Sequence, residues 1–274
     1  MKNMMLQVIE KCIRVLVELV SKSPLWFPLS AKVIIEVRRR TVEVVRSGKH
    51  LQFHIPNDRC LYRAESLFDK EPETIEWIDG FKESSVFWDV GACVGTYTVY
   101  AGITKNARVI AVEPSVFNLE WLAKNINTNG LAGNVTVIPL ALSSSTQLAD
   151  FRMQVTEWGG ALSSFGVEYN HEGNTFSPRF QYSTIGCSIA FLIKQFGLPT
   201  PDYVKVDVDS IEHLVIEGLL PVIASVESIA LENSRNKDVT HRCTELLCAN
   251  NFGIQQVGRA NTIWRRFANA TTTS

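Results

Sequence analysis

The chain has 274 residues and a mass of 30.7 kDa, enough for one large α/β core and a small extension but not for two full enzymatic domains. Charged residues are 20% and apolar residues 46%, and a net charge of −1 with a pI near 6.5 supplies no broad electropositive face, which disfavours nucleic acid as a partner. The six cysteines, at 12, 60, 93, 187, 243 and 248, include no Cys-x-x-Cys pair, so reduced thiols in a cytoplasmic setting are expected rather than disulfides or zinc.

Between Met1 and Lys22, polar residues recur at steps of three and four. They leave Met4, Met5, Leu6, Val8, Ile9, Cys12, Ile13, Leu16, Leu19 and Val20 on a wide apolar arc, the pattern of an amphipathic helix. Its internal charges, each costing about 2.5 to 3.5 kcal/mol near a bilayer centre, argue against a membrane span, and no signal-peptide cleavage pattern is visible. Two destinations stay open: packing on the domain or on a partner subunit in a homo-oligomer, or lying at a membrane surface with help from Lys2, Lys11 and Arg14. Pro24 and Pro28 end this helix, and a mixed segment over 30–40 finishes in Arg38-Arg39-Arg40, expected to be a solvated helix end. Alternation over 41–45 and 51–55 around Ser47-Gly48-Lys49 predicts a β-hairpin. His50 and His54 can share a strand face, but no carboxylate or cysteine joins them in sequence, so no metal site is expected there. Residues 1–59 therefore read as an extension ahead of a catalytic domain at 60–274.

Pro72 suits the first turn of a helix over 72–79, stopped by Gly80 and expected to lid the cleft that follows. Val86-Phe87-Trp88-Asp89-Val90 is a short apolar strand, a turn with Gly91 and Gly95 comes next, and helix-compatible sequence resumes at Thr96. In such a turn the first helical N–H groups face a ligand with the positive end of the helix dipole behind them. Contacts are expected from Gly91, Ala92, Cys93 and Gly95. The spacing Asp89-x-Gly91-x-x-x-Gly95 lacks the middle glycine of the dinucleotide fingerprint, at Cys93, which turns the reading away from NAD. A strand over 108–112 ends in Glu113-Pro114, 24 positions after Asp89, where a carboxylate can accept both hydroxyls of a ribose. Asp89, at the tip of its strand, would face a cationic ammonium or sulfonium better than a pyrophosphate. These requirements fit S-adenosylmethionine; the rival reading is a phosphate-binding or merely tight turn.

A helix over 116–128 and a strand over 135–139 follow, and the strand's exit at Ala141 is where an adenine ring would lie. Residues 151–183 form a polar, turn-rich excursion that suits a loop covering a site, although an ordinary exposed meander has the same composition. A helix over 188–196 leads to a strand over 202–206 and then to Asp207-Val208-Asp209-Ser210-Ile211-Glu212-His213. Three carboxylates and an imidazole thus lie just past a central strand's carboxyl end, where open α/β sheets place ligands. A strand over 226–231 adds Glu232-Asn233 to the same rim, and a helix over 240–249 with strands over 254–257 and 262–267 closes the sheet.

Taken together, Lys70-Glu71-Pro72-Glu73-Thr74, Phe87-Trp88-Asp89-Val90-Gly91-Ala92, Ala111-Val112-Glu113-Pro114-Ser115, Glu157-Trp158-Gly159-Gly160-Ala161-Leu162-Ser163 and Asp202-Tyr203-Val204-Lys205-Val206-Asp207 resemble the FkbM-type S-adenosylmethionine-dependent methyltransferases over about residues 60–267. The resemblance implies an α/β, Rossmann-like class I methyltransferase fold with a seven-stranded, mainly parallel sheet and a reversed last strand. It also implies methylation of a hydroxyl, often on a sugar or small natural product. The family usually shows Asn where Cys93 stands and Gly where Ser210 stands, so Ser210 occupies a turn that glycine would ease.

A neutral alcohol is a poor nucleophile, so methyl transfer to it needs in-line positioning plus a group that takes the hydroxyl proton or a metal that acidifies it. Asp207 is expected near the methyl centre, in contact with the cofactor, with Glu212 or His213 as base. His213, set among Ile211, Leu214 and Val215, equally suits a hydrogen bond within the fold. Mg²⁺ on Asp207, Asp209 and Glu232 is a possible alternative that is not adopted. Two further classes stay open, a nicotinamide oxidoreductase and a non-catalytic S-adenosylmethionine-binding scaffold at a membrane surface.

Overall fold

A computed structural model describes residues 2–267. The chain begins with helices α1 (Lys2–Ser21) and α2 (Trp26–Arg39), a hairpin of β1 (Thr41–Arg46) and β2 (Lys49–His54), and helices α3 (Asp58–Glu65) and α4 (Pro72–Asp79). Strands and helices then alternate through β3 (Val86–Val90), α5 (Thr96–Lys105), β4 (Arg108–Val112), α6 (Val116–Thr128) and β5 (Val135–Ile138). An excursion holds β6 (Ala141–Leu142), β7 (Gln147–Met153), β8 (Ser163–Phe165) and β9 (Phe180–Cys187). The alternation resumes with α7 (Ile189–Phe196), β10 (Tyr203–Val206), α8 (Glu212–Leu219), a 3₁₀ turn (Leu220–Ser225), β11 (Ser228–Glu232), α9 (Lys237–Ala249), β12 (Phe252–Val257) and β13 (Asn261–Arg266).

The main sheet has the order β12-β13-β11-β10-β3-β4-β5. Its five strands from β11 to β5 pair in parallel, and strands covered on both faces need apolar side chains on both, which explains their mostly apolar sequences, with Asp89 of β3 and Lys205 of β10 as the buried charged exceptions. Side chains alternate between two layers: Trp88, Val90, Ile110 and Val112 join one core with α7, α8 and α9, while Phe87, Val109 and Ala111 join another with α4, α5 and α6. The last strand, β13, runs against both neighbours, so the sheet is the seven-stranded, mainly parallel one with a reversed last strand that the resemblance implies. Successive units lie to one side as β3, β4, β5 and to the other as β10 and β11, and the crevice opens at that switch point, beyond the carboxyl ends of β3 and β10.

Three expectations change. The hairpin is not peripheral, because Leu51 and Phe53 are buried in the same core as Val99 and Leu122; only α1 and α2 stand clear of it. Helix α4 does not lid the cleft: Trp77 packs edge-on to Phe81, Phe87 and Tyr203 and its indole N–H donates to Ser228. The excursion is a second sheet, β6-β9-β7-β8. Strands β7 and β9 pair from Gln147↔Gly186 to Met153↔Phe180, and Phe151, Met153 and Phe165 make a small core with Ala141 and Ile211. Met1 and the side chains of Met4, Met5, Leu6 and Val8 lie outside the described part.

Candidate active site

A cavity of about 270 Å³ opens over the carboxyl ends of β3, β4 and β10. Gly91 (φ +84°) marks the point where the loops after β3 and β10 touch, since a Cβ there would fall 1.8 Å from the carbonyl oxygen of Asp207. No side chain fits. Cys93 also has positive φ (+52°), which asparagine tolerates better than cysteine, a physical reason for the residue the family usually carries. Its N–H donates to Glu113 Oε2 at 2.8 Å, and the N–H of Ser115 donates to Glu113 Oε1 at 2.7 Å. Burial pushes the Glu113 carboxyl up to about 7 against those two bonds and the Arg63 guanidinium. Pro114, Ala141, Leu142 and Phe151 add an apolar wall.

The opposite wall is acidic. Asp207 accepts a 2.5 Å bond from Lys205, which is only 1% exposed and stands 3.8 Å from Glu71. Burial opposes ionisation, yet the Lys205 ammonium holds Asp207 down to about 2. Asp209 (φ +54°) accepts from the N–H groups of Leu162 (2.6 Å) and Ser163 (3.3 Å), which ties the excursion to this wall. Glu232 lines the cavity as well; burial and the carboxylates of Asp207, Asp209 and Glu212 keep it protonated far above the ordinary range, in hydrogen-bond contact with Asp207. Among the described residues no three His, Cys, Asp or Glu side chains are arranged to hold a metal ion.

Gly91, Cys93, Glu113, Pro114, Ala141 and Asp207 therefore share one cavity. Ala92 borders a smaller adjoining cleft with Tyr97 and Lys205. Gly95 (φ +85°) shapes the turn beneath, where a Cβ would meet Leu122 at 2.6 Å. Asp89 does not face the cavity. It is 1% exposed, accepts from Thr98 Oγ1 at 2.6 Å and lies in register with Lys205 on β10, so its charge answers the buried lysine rather than a ligand. Glu212 is also beneath the surface: Oε1 accepts from the Ser210 N–H at 3.0 Å, Oε2 is buried without a partner, and burial pushes the carboxyl up to about 7. His213 is half-buried on α8, away from the cavity, where burial lowers its basicity beside Glu217 and Arg242. Neither Glu212 nor His213 lines the cavity, as a base in contact with an acceptor must.

Sequence reading missed three contributors. Arg63 of α3 lines the cavity and donates from Nε to the Gly159 carbonyl at 2.7 Å; no local pattern marks it. Asn118 clamps the excursion through Gly159 N–H (3.0 Å) and Gly160 O (3.1 Å). Lys205 did carry a signal, since a charge inside a strand covered on both faces requires charged partners.

The family model described as the methyltransferase FkbM domain matches residues 89–253, from the Asp89 strand tip through Asp207 to β12. The chain belongs to the FkbM methyltransferase family. It is a methyltransferase, which sets aside the nicotinamide reading. A hexuronic acid methyltransferase, AglP of Haloferax volcanii, is 25% identical over 202 residues, covering 73% of this chain and 78% of that protein. The fold is also similar to a precorrin-6y C5,15-methyltransferase from Geobacter metallireducens (TM-score 0.44, 13% identity, 72% of this chain and 87% of that one). A putative rRNA methylase from Clostridium thermocellum is similar too (TM-score 0.45, 11% identity, 72% of this chain and 95% of that one).

Proposed function

We propose that this FkbM methyltransferase uses S-adenosylmethionine to methylate a hydroxyl oxygen of a sugar, with hexuronic acid-containing glycans as the first acceptors to test. The observation that carries the reading is the facing, across one cavity, of a carboxylate with spare lone pairs (Glu113) and the two carboxyl groups of Asp207 and Glu232.

The residues fit the cofactor. After its two N–H bonds, Glu113 keeps acceptor capacity for ribose hydroxyls, the wall around Pro114, Ala141 and Leu142 suits adenine, and Gly91 leaves the backbone open to close approach. When bound, the cofactor supplies an electrophilic methyl on a sulfonium. The ionised member of the Asp207–Glu232 pair can orient the acceptor hydroxyl and take its proton, and Lys205 keeps that charge tolerable in a buried wall. Arg63 and Lys70 add cationic groups to the rim, which suits a carboxylate such as a hexuronic acid carries.

Incubation with methyl-labelled S-adenosylmethionine and a panel of hexuronic acid-containing and neutral glycans tests this. The expected result is alkali-stable label, a methyl ether, on the acidic glycans. Alkali-labile label would mean an ester on the carboxylate and would replace the hydroxyl reading, while no transfer to any glycan would move the search to other acceptors.

A further inference from the structure

No described residue of α1 or α2 lines the cavity. No described side chain of either helix is buried, and Ile9, Ile13, Leu16 and Leu19 of α1 and Phe27 and Ile34 of α2 stand in solvent, Phe27 at 80% exposure. Apolar surface this extensive marks an interaction face. Charge is distributed just as unevenly: residues 1–40 hold eight basic and three acidic side chains, a net +5, in a chain whose total is −1, so the rest of the protein carries −6. Among the described residues the arm is tied down near its root, where Arg38 pairs with Glu120 and lies 5.5 and 5.6 Å from the ring centroids of Trp121 and Trp158.

We propose that α1 and α2 are a membrane-docking arm that lays its apolar side chains into the interface of an anionic phospholipid bilayer. None of the described helices is long and apolar enough to cross a membrane, so the arm lies on the surface, in the manner of amphipathic helices that combine apolar burial with basic side chains. Lys11, Arg14, Lys22, Lys32 and Arg39 supply the attraction to lipid phosphates. A second copy of the chain is the weaker occupant. A symmetric dimer through this face would set one +5 arm against another, whereas an anionic surface satisfies the charge and the apolar side chains together. Trp158, at the arm's root, is two residues from cavity-lining Gly160, so a docked arm sits beside the loop that covers the cavity.

The test is co-sedimentation of the full-length protein with vesicles of phosphatidylcholine alone or mixed with phosphatidylglycerol, at low and high salt. The protein is expected to pellet with the mixed vesicles only and to be released by salt. The double variant Leu16→Asp/Phe27→Asp and the triple variant Lys11→Gln/Arg14→Gln/Lys22→Gln should each lower the bound fraction about tenfold or more. Their S-adenosylmethionine affinity in solution should be unchanged, which reports an intact fold. Equal pelleting with neutral vesicles, or no pelleting, overturns the proposal. So does a dimer in size-exclusion chromatography that Leu16→Asp/Phe27→Asp dissociates while vesicles bind neither protein.

Discussion

The two walls of the cavity are made the same way, by a parallel strand running into a loop and a helix, yet they treat their carboxylates differently. On the wall after β4, both oxygens of Glu113 accept backbone N–H groups at 2.7 and 2.8 Å, and the neighbouring turn takes positive φ at Gly91 and Gly95 with one non-glycine, Cys93, between them. On the wall after β10 and β11, Asp207, Asp209, Glu212 and Glu232 crowd together, two non-glycine residues in a row have positive φ (Asp209 +54°, Ser210 +127°), and Glu212 Oε2 has no partner. A wall that only binds can be at rest. On the function proposed above, the second wall moves a proton, a task for which acids kept apart in proton affinity are suited, and strain accompanies them. What makes the crowding tolerable is Lys205, buried beneath it between Asp207, Glu71 and Asp89.

The largest expected effect tests that support. Lys205→Met keeps the volume but takes the cation away from the half-buried Asp207 and the buried Asp89 and leaves Glu71 with Lys70 as its sole cation among the described residues, and breaking a buried pair by removing one partner costs about 3 to 5 kcal/mol. Urea unfolding should show the loss as a lower midpoint at unchanged slope. A loss below about 1 kcal/mol, the worth of a surface pair, would show that the acidic wall does not depend on Lys205.

Next in size is a double dissociation between the walls. Asp207→Asn should lower the methyl-transfer rate by about 10² or more while S-adenosylmethionine affinity changes far less. Glu113→Gln should do the reverse, weakening affinity through hydrogen bonds to a charged group worth about 1.5 to 3 kcal/mol. Calorimetry and single-turnover rates on both variants separate the effects. Equal loss of affinity in the two would erase the distinction between a binding wall and a reacting wall.

Titration touches both walls at once. Burial raises Glu113 and Glu212 to about 7, above the ordinary carboxyl value of 4.5, so between those limits the folded protein binds more protons than the unfolded chain and stability falls as pH rises. Asp207, held down to about 2, acts oppositely: its contribution is present above the ordinary aspartate value and is lost as pH falls through about 2. The melting temperature should therefore rise as pH drops from above 7 towards 5, and Glu113→Gln should flatten that slope.

The binding wall was the more legible one in the sequence because it is made of local signals. Strand, glycine turn and helix are contiguous from Val86 to Lys105, and Glu113 ends an uninterrupted apolar strand, so spacing alone places them. The reacting wall depends on contacts distant in sequence. Whether Glu212 reaches the cavity is set by how α8 leaves the Ser210 turn, and whether Glu232 does is set by the pairing of β11 with β10 and β13; composition places both acids near a strand end without telling which is covered. Asp89 looked like a ligand contact because strand tips face clefts, but its register with Lys205, 116 positions away, turns it inward. The second sheet escaped because the first six residues of β9 are exposed or half-buried, with burial confined to Gly186 and Cys187, so its sequence reads as loop. The lid expected at α4 failed for the opposite reason, an apolar face rich enough to belong on the sheet.

Ser210 carries the smallest effect and the sharpest test of strain on the reacting wall. Its φ of +127° is open to glycine and disfavoured for a residue with a Cβ, and its hydroxyl is buried without a hydrogen-bond partner. Each feature costs stability, the backbone strain about 1 to 3 kcal/mol and the unpaired hydroxyl about 1 to 3 kcal/mol. Glycine adds back about 0.5 to 1 kcal/mol of chain entropy in the unfolded state. Ser210→Gly is therefore expected to stabilise the protein by at least about 1 kcal/mol, read as a higher urea midpoint at unchanged slope. The substitution keeps the 210 N–H that Glu212 accepts, so the acidic wall retains its architecture and the transfer rate should stay within about twofold. A stabilised variant that lost most of its rate would show instead that the strained serine positions Asp209 and Glu212 for the reaction, and a destabilised one would mean that the turn is not strained at all.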